Sequence, residues 1–476
     1  MAVVIRPRPP APARAIELTA LPGIAGVLRR PHVLNALRGL TVFLLASAIW
    51  FGLTDPAGSG AFTLALMWGI FWPFFTSLVT PTLGNAFCSV CPHGFMGKYL
   101  SRIGLKRHAP RWLIRANIGL VLVMVTYWAV SFAAPAAFAR SADITAGFFL
   151  AYTLLAAASF LVWRDMAYCR HICPLGGVLT AYARAGSAWI TTEAKNCATC
   201  RSFDCARACP HHLSPFRFEE RNDMADCTLC MDCATACTSV KVELRRPGHQ
   251  LARPVARDDG RTARILLWLT AVAAVGVQFQ HGLNHTPLAA MMPWNLAGGL
   301  LADRIPMPAW FQWSGLVALL LAIALTLGAA RTGWGLVARL AGRDRAEVAA
   351  VLGHGLAPLA CIAMLAHGIV FFLAVYAPRL WNSAIAAYGL PAAEIGPLVA
   401  RGTPWLGIFD LLPWIAILWS LRVMHRRTAL VLPAGTPRGR RFLATTAAAA
   451  PVLLYALVLV VKLWAAAQGM PAGHVH

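Results

Sequence analysis

The sequence predicts an all-α polytopic membrane protein of about nine transmembrane helices, interrupted by an inserted α+β domain on the cytoplasmic side. Three observations carry this reading. Hydrophobic residues make up 58% of the 476 residues and charged residues only 13%, with a mean hydropathy of +0.60. Most of such a chain has no polar surface to show to water. Apolar runs of bilayer length recur along it, and the loops between them carry Lys and Arg on alternate sides. A polar stretch between residues 197 and 237 holds eight of the thirteen cysteines, in spacings typical of metal-binding loops.

The net charge of +23 arises from 42 Lys+Arg against 19 Asp+Glu. In a soluble protein this would suggest nucleic acid. Here the basic residues gather in the short loops of one side, where they set orientation and meet anionic lipid. Nucleic acid is therefore not an expected partner. Cysteines in paired spacings argue for metal centres in a reducing compartment rather than for a disulfide framework.

Residues 1–35 are expected to form a cytoplasmic tail. The opening MAVVIRPRPPAPARAIELTALPGIAG is rich in Pro and Arg and lacks an apolar core with a small-residue cleavage site, so it does not read as a cleaved signal peptide. A four-helix membrane domain is expected over 36–185, with spans at 40–54, 62–84, 112–135 and 144–163. The insert follows over 186–250. A five-helix domain fills 251–476, with spans at 265–282, 310–330, 352–377, 405–424 and 443–466.

Positive charge orients these spans. Arg29, Arg30 and Arg38 precede the first; Lys98, Arg102, Lys106, Arg107 and Arg111 follow the second; Arg331, Arg339, Arg343 and Arg345 follow the sixth; Arg422, Arg426, Arg427, Arg438, Arg440 and Arg441 follow the eighth. The insert, flanked by Arg184, Arg245, Arg246, Arg257, Arg261 and Arg264, falls on this side, whereas DPAGSGA at 55–61 has no Lys or Arg. A multi-pass protein of the bacterial inner membrane is expected, with the N-terminus and insert cytoplasmic and the C-terminus periplasmic.

In the insert, Cys227, Cys230, Cys233 and Cys237 stand as C-x2-C-x2-C-x3-C, while Cys197, Cys200, Cys205 and Cys209 stand as C-x2-C-x4-C-x3-C-P. The first spacing lets one loop give three thiolates to a 4Fe-4S cluster and send the fourth to a neighbouring one. A two-cluster, bacterial-ferredoxin-like domain with crossed ligation is expected. Cys197, Cys200, Cys205 and Cys237 would hold one cluster, and Cys227, Cys230, Cys233 and Cys209 the other. Two zinc sites would leave the third cysteine and the C-x3-C step of each run without a purpose.

The first half also repeats. The second span ends in FCSVCPHGFMGKYL, with Cys88 and Cys91, and the fourth in YCRHICPLGGVLTAY, with Cys169 and Cys173. Proline after the second cysteine suits the first turn of a new helix, whose amides then aim at the preceding sulfur and favour thiolate. These four cysteines are candidates for a further redox or metal centre near the quinone; the competing reading is a pair of inert motifs that only shape the bend. Cys361 has no partner and reads as a small apolar filler.

Helix pairs ending in CSVCP and CRHICP, followed by an eight-cysteine insert, resemble the NosR/NapH-type membrane polyferredoxins over roughly residues 36–245. That resemblance implies an inner-membrane electron-transfer protein joining the quinone pool or a cytoplasmic donor to a periplasmic acceptor. Cys88, Cys91, Cys169 and Cys173 match its paired membrane motifs, although the family usually has C-x3-C-P at both. A flavin-binding domain before the first helix and a close after the insert are family features that this sequence does not share.

The five later helices are read from their polar residues. His281 in VQFQHGLNH and His367 in MLAHGIVFF fall at similar depth in the periplasmic half, each followed by Gly. Either they ligate a b-type haem or line a quinol pocket, or they are interhelical hydrogen-bonding groups. Asp410 and Lys462 are expected near the periplasmic surface.

The functional expectation is an iron-sulfur electron-transfer protein that passes electrons between cytoplasmic 4Fe-4S clusters and the quinone pool or a periplasmic redox partner; the resemblance extends this to a quinol dehydrogenase-type oxidoreductase subunit. Its partners would be membrane lipid, quinone or quinol, and a periplasmic or cytoplasmic redox protein. The alternatives are a copper reductase or assembly factor for a metalloenzyme, which uses the four membrane thiols as soft-metal ligands, and a redox-linked transporter.

Overall fold

The computed structural model describes residues 15–468, apart from 225, 252, 255–259, 364 and 401, and apart from the side chains at 73, 76, 77, 115, 139, 366 and 367. Residues 1–14 of the expected N-terminal tail, residues 469–476 and Arg257 lie outside the described residues.

Eight helices are long and apolar enough to cross a membrane among the described residues, and two shorter apolar helices run over Gly60–Trp72 and Ile118–Ala133. Several of the expected spans differ in their bounds from the described helices. The expected span 352–377 overlaps the described helices Arg345–Ile362 and Gly368–Tyr388, residue 364 lying outside the described residues. The one expected over 112–135 begins later, because Asn117 takes left-handed backbone (φ 47°) and separates Arg111–Arg115 from the helix beyond. The first span starts at Pro31 rather than 40, with Pro at its first turn. The last starts at Ala450, with Pro451 in the first turn behind a separate helix Arg438–Ala448. Proline removes an amide that the first turn does not use, so each sets a start that hydropathy alone blurs.

The insert is built on a three-stranded antiparallel sheet. Strand β1 (Ile16–Glu17), β2 (Ala188–Thr192) and β3 (Val240–Leu244) lie in the order β1-β3-β2. Ala188 faces Leu244 and Thr192 faces Val240, so both cysteine runs leave from β2 and return on β3. The presence of β1 corrects the expected tail: Ile16 pairs with Leu244, and Leu34 at the start of the first membrane helix is buried in the same core as Trp189, Ile190, Phe218 and Val242. Burying one leucine there contributes about 2 kcal/mol, which docks the insert on the membrane body.

The two Cys-Pro motifs lie at the insert end of the bundle. The loops 55–59 and 134–141 lie together at the other end, where an added Cβ on Gly52 or Gly60 would touch Ala142. Arg427, expected in a loop, is instead 2% exposed within Leu412–Val431. Its guanidinium donates to the carbonyls of Leu251, Val351 and Arg253 at 2.5, 2.7 and 3.3 Å. That joins the later helices to the chain leaving the insert.

Candidate metal centres

Each cysteine run is held by short turns in left-handed backbone. Leu229 (φ 52°) and Met231 (φ 64°) bend the second run, and Phe203 (φ 50°) takes up the longer C-x4-C loop of the first. These bends turn amides toward sulfur: Leu229 N–H points at Cys227, Asp232 N–H at Cys230, Ala234 N–H at Cys233 and Leu213 N–H at Cys209, the last at 3.4 Å. Hydrogen bonds of this kind favour the charged thiolate and tune a cluster's potential.

The sulfurs assemble across the two runs. Cys205 lies within electrostatic reach of Cys237, Cys197 and Cys200. Cys209, Cys227, Cys230 and Cys233 line one small cavity with Phe218, Met231 and His211. Burial together with neighbouring thiols pushes Cys205 up to about 11, and burial, with Asp232 beside it, does the same to Cys230. Four such thiolates cannot share a buried cage unless positive charge sits among them, and iron supplies that charge. Among the described residues no three His, Cys, Asp or Glu converge closely enough to hold one metal ion.

In the membrane motifs, Cys91 and Cys173 each precede a proline and cap the helices Pro92–Ile103 and Pro174–Ala183. His93 and Gly94 amides reach Cys91, and Leu175 and Gly176 amides reach Cys173, as the Cys-Pro spacing predicts. The unequal gaps are reconciled by helix type. Cys88 sits on an α-helical turn, Ala86–Val90, while Cys169 sits on a π-helical turn, Tyr168–Ile172, which absorbs the extra residue. The four sulfurs are mutual neighbours: Cys88 lies near Cys91 and Cys173, and Cys169 near Cys173, Cys91 and Cys88. The Tyr168 hydroxyl donates to Cys173.

All four border a cavity of about 200 Å³. Its floor in the membrane is aromatic, with Trp68, Trp72, Tyr127, Phe148 and Phe149. Two hydrogen-bonded pairs stand at its membrane part, the lining Thr126 Oγ1 with the lining Tyr152 OH at 2.7 Å and the lining His93 Nε2 with Thr153 Oγ1 at 2.9 Å, while Arg38, Lys98, Arg170 and Asp226 line it further on. At its upper end the cavity reaches Cys230, Thr228 and His211, which also wall the small cavity of the second cysteine run. Burial holds the His211 imidazole down to about 4.

Some residues of this junction were missed by sequence reasoning. Arg38 is the one charged residue within Pro31–Thr54, and that isolation in an apolar helix was the available signal. Asn85 Nδ2 donates to the carbonyl of Cys227 at 3.0 Å, and Lys98 pairs with Asp232 at 2.6 Å. Neither partner could be seen without the fold.

The histidines of the later helices are not brought together in the same way. The segment Gln278–Gly282, with an exposed His281, packs mainly on Trp313–Ala341 and Ala450–Ala467. The backbone of His367, in Leu365–Phe371, packs mainly against Ala65–Val79 and Pro404–Leu411; its side chain lies outside the described residues. Lys462 reaches the backbone at Gly282 and lies within electrostatic reach of Asp410. Cys361 is buried at 1% exposure in the apolar core, with Tyr182 as a neighbour.

Comparison with known proteins bears on the membrane motifs first. A family described as a 4Fe-4S binding domain matches residues 64–110 and 145–192. One match carries Cys88 and Cys91 and the other Cys169 and Cys173, so a single profile finds both halves of the internal repeat. Regulatory protein NosR of Pseudomonas aeruginosa is 28% identical over 243 residues, 44% of this chain and 33% of that protein. The putative electron transport protein YccM of Escherichia coli is 24% identical over 227 residues, covering 42% and 60%. Over these stretches the chain is similar to NosR and YccM, in keeping with the resemblance to NosR/NapH-type membrane polyferredoxins. Both matched stretches carry the signature of a 4Fe-4S binding domain. An uncharacterised protein of Methanocaldococcus jannaschii is 29% identical over 160 residues, which are 32% of this chain and 61% of that one. The chain thus spans 61% and 33% of the first two of these curated relatives' lengths. No solved structure matches.

Proposed function

We propose that this chain is an electron conduit of the bacterial inner membrane. Two 4Fe-4S clusters in a cytoplasmic insert exchange electrons with a centre at Cys88, Cys91, Cys169 and Cys173, and this centre with a quinone in the aromatic part of the same cavity. The observation that supports it is the shared wall: Cys230, Thr228 and His211 border both the second-run cavity and the membrane cavity.

When bound, the clusters supply one-electron chemistry. The chain's own groups do the rest. Amides at the two Cys-Pro turns point at Cys91 and Cys173, where they would stabilise sulfurs bound to a metal centre. Trp68, Trp72 and Tyr127, packed on one another, give a flat ring an apolar wall, and the Thr126–Tyr152 and His93–Thr153 pairs offer hydroxyl and imidazole groups to its oxygens. The protons of quinol oxidation would leave through these pairs, and a redox protein would complete the circuit.

Adding a short-chain quinol, or its quinone, to anaerobic protein tests this reading. Reduced-cluster EPR signals should grow with the quinol or fade with the quinone. Intact clusters that exchange electrons with neither would overturn it. A copper-handling role is the second reading, favoured by four soft sulfurs on one cavity. It requires cuprous ion to bind at these four residues with micromolar or tighter affinity.

A further inference from the structure

Arg38 lies 4% exposed at the point where the membrane motif meets the insert. Its Nε donates to the carbonyl of Ser89, between Cys88 and Cys91, at 2.8 Å. Its Nη2 donates to the carbonyl of Cys230 at 2.9 Å, and its Nη1 to Asn35 Oδ1 at 2.8 Å. Every partner is neutral, and among the described residues no carboxylate forms an ion pair with it. An uncompensated buried guanidinium is costly, and such groups persist where an anion stands nearby. The two motifs whose carbonyls it grips are both cysteine motifs. A cubane on four thiolates is negatively charged in both redox states and gains a further negative charge on reduction, so an adjacent cation favours the reduced form.

We propose that Arg38 is the counter-charge of the redox junction: a positioning residue that raises the reduction potential of the cluster at Cys209, Cys227, Cys230 and Cys233 and fixes its distance from the Cys88–Cys91 loop. The inference rests on the cluster assignment of the preceding section. Two variants of Arg38 and one of its partner Asn35 separate charge from shape. Arg38→Gln removes the charge, Arg38→Lys keeps the charge without the fork, and Asn35→Asp keeps all three hydrogen bonds while placing a carboxylate against Nη1.

The experiment is an EPR-monitored redox titration of anaerobically purified full-length protein, with iron and sulfide measured on each variant. Arg38→Gln and Asn35→Asp are each expected to disfavour reduction of one insert cluster at least tenfold, a 59 mV fall for a one-electron couple. The cluster at Cys197, Cys200, Cys205 and Cys237 serves as the internal reference and should move less. Arg38→Lys should stay within a factor of about three of wild type, and Arg30→Gln, an exposed charge nearby, should change neither cluster. If Arg38→Gln does not assemble, Asn35→Asp alone decides. Clusters present at wild-type potentials in Arg38→Gln or Asn35→Asp overturn the inference and leave the cluster assignment standing; so does a Lys variant as shifted as the Gln variant. Wild-type protein without clusters refutes the assignment itself.

Discussion

Replacing Gly176 by alanine tests the geometry of the Cys-Pro turn against its own internal copy. An added Cβ at Gly176 would collide with the carbonyl of Cys169 and press on Cys173 Cβ at 3.4 Å. The obstacle is backbone, on the π-helical turn that carries a candidate ligand, so it cannot swing aside. At Gly94, the corresponding position of the first motif, a Cβ would lie 3.8 Å from the Cys88 carbonyl and 3.9 Å from Cys91 Cβ, ordinary contact distances. Overpacking costs about 1–3 kcal/mol, whereas alanine in a helical turn otherwise gains about 0.5–1 kcal/mol over glycine. Gly176→Ala should therefore lose about 1–2 kcal/mol net, and Gly94→Ala should be neutral or slightly stabilising. Thermal unfolding of the detergent-solubilised variants, read beside their iron content, measures the difference. Equal effects at the two sites, or a tolerated Gly176→Ala with full iron, would refute the claim that the π-helical turn is packed against the second Cys-Pro helix.

Further outcomes follow from the same coordinates. Crossed ligation predicts that Cys237→Ala abolishes the cluster of the first run and Cys209→Ala that of the second, each removing about half of the insert's iron and one of its EPR signals. Burial, reinforced by Arg245 and Arg253, holds His249 down to about 3. The folded insert therefore binds fewer protons than the unfolded chain below about pH 6.5, and its stability, complete above that pH, falls on acidification by about 2 kcal/mol at pH 5 from this group alone. His249→Phe, which keeps the ring against Trp189, should flatten that acid limb in a pH series of denaturation curves. Arg427→Met leaves the carbonyls of Leu251 and Val351 without their donor and should cost about 2–3 kcal/mol. Limited proteolysis should then cut the 251–260 stretch faster than in wild type.

Much of this arrangement could be read in the residues. Hydropathy located most of the apolar helices, because burial in lipid demands long apolar runs. The C-x2-C-x2-C-x3-C spacing carries the expectation of a crossed pairing, and Cys209 shares one small cavity with Cys227, Cys230 and Cys233. Proline after Cys91 and Cys173 foretold helix starts with amides on sulfur. What the residues concealed was long-range. Two-residue β1 carries no periodic signal, and its pairing with β3 spans most of the first half of the chain. The break at Asn117 depends on backbone geometry inside largely apolar sequence, where hydropathy is flat. His281 and His367 looked equivalent by depth along their helices, but depth says nothing of which neighbours a helix chooses. Arg38 was counted among loop charges, and only the fold shows it turned inward between two cysteine motifs.

The measurement that bears most directly on the whole is the iron and acid-labile sulfide content of anaerobically prepared protein, taken with low-temperature EPR after reduction. At least about eight irons and eight sulfides per chain, with interacting cluster signals, are expected from two cubanes alone, and more if the membrane cysteines are also occupied. Stoichiometric zinc with no inorganic sulfide would contradict the account.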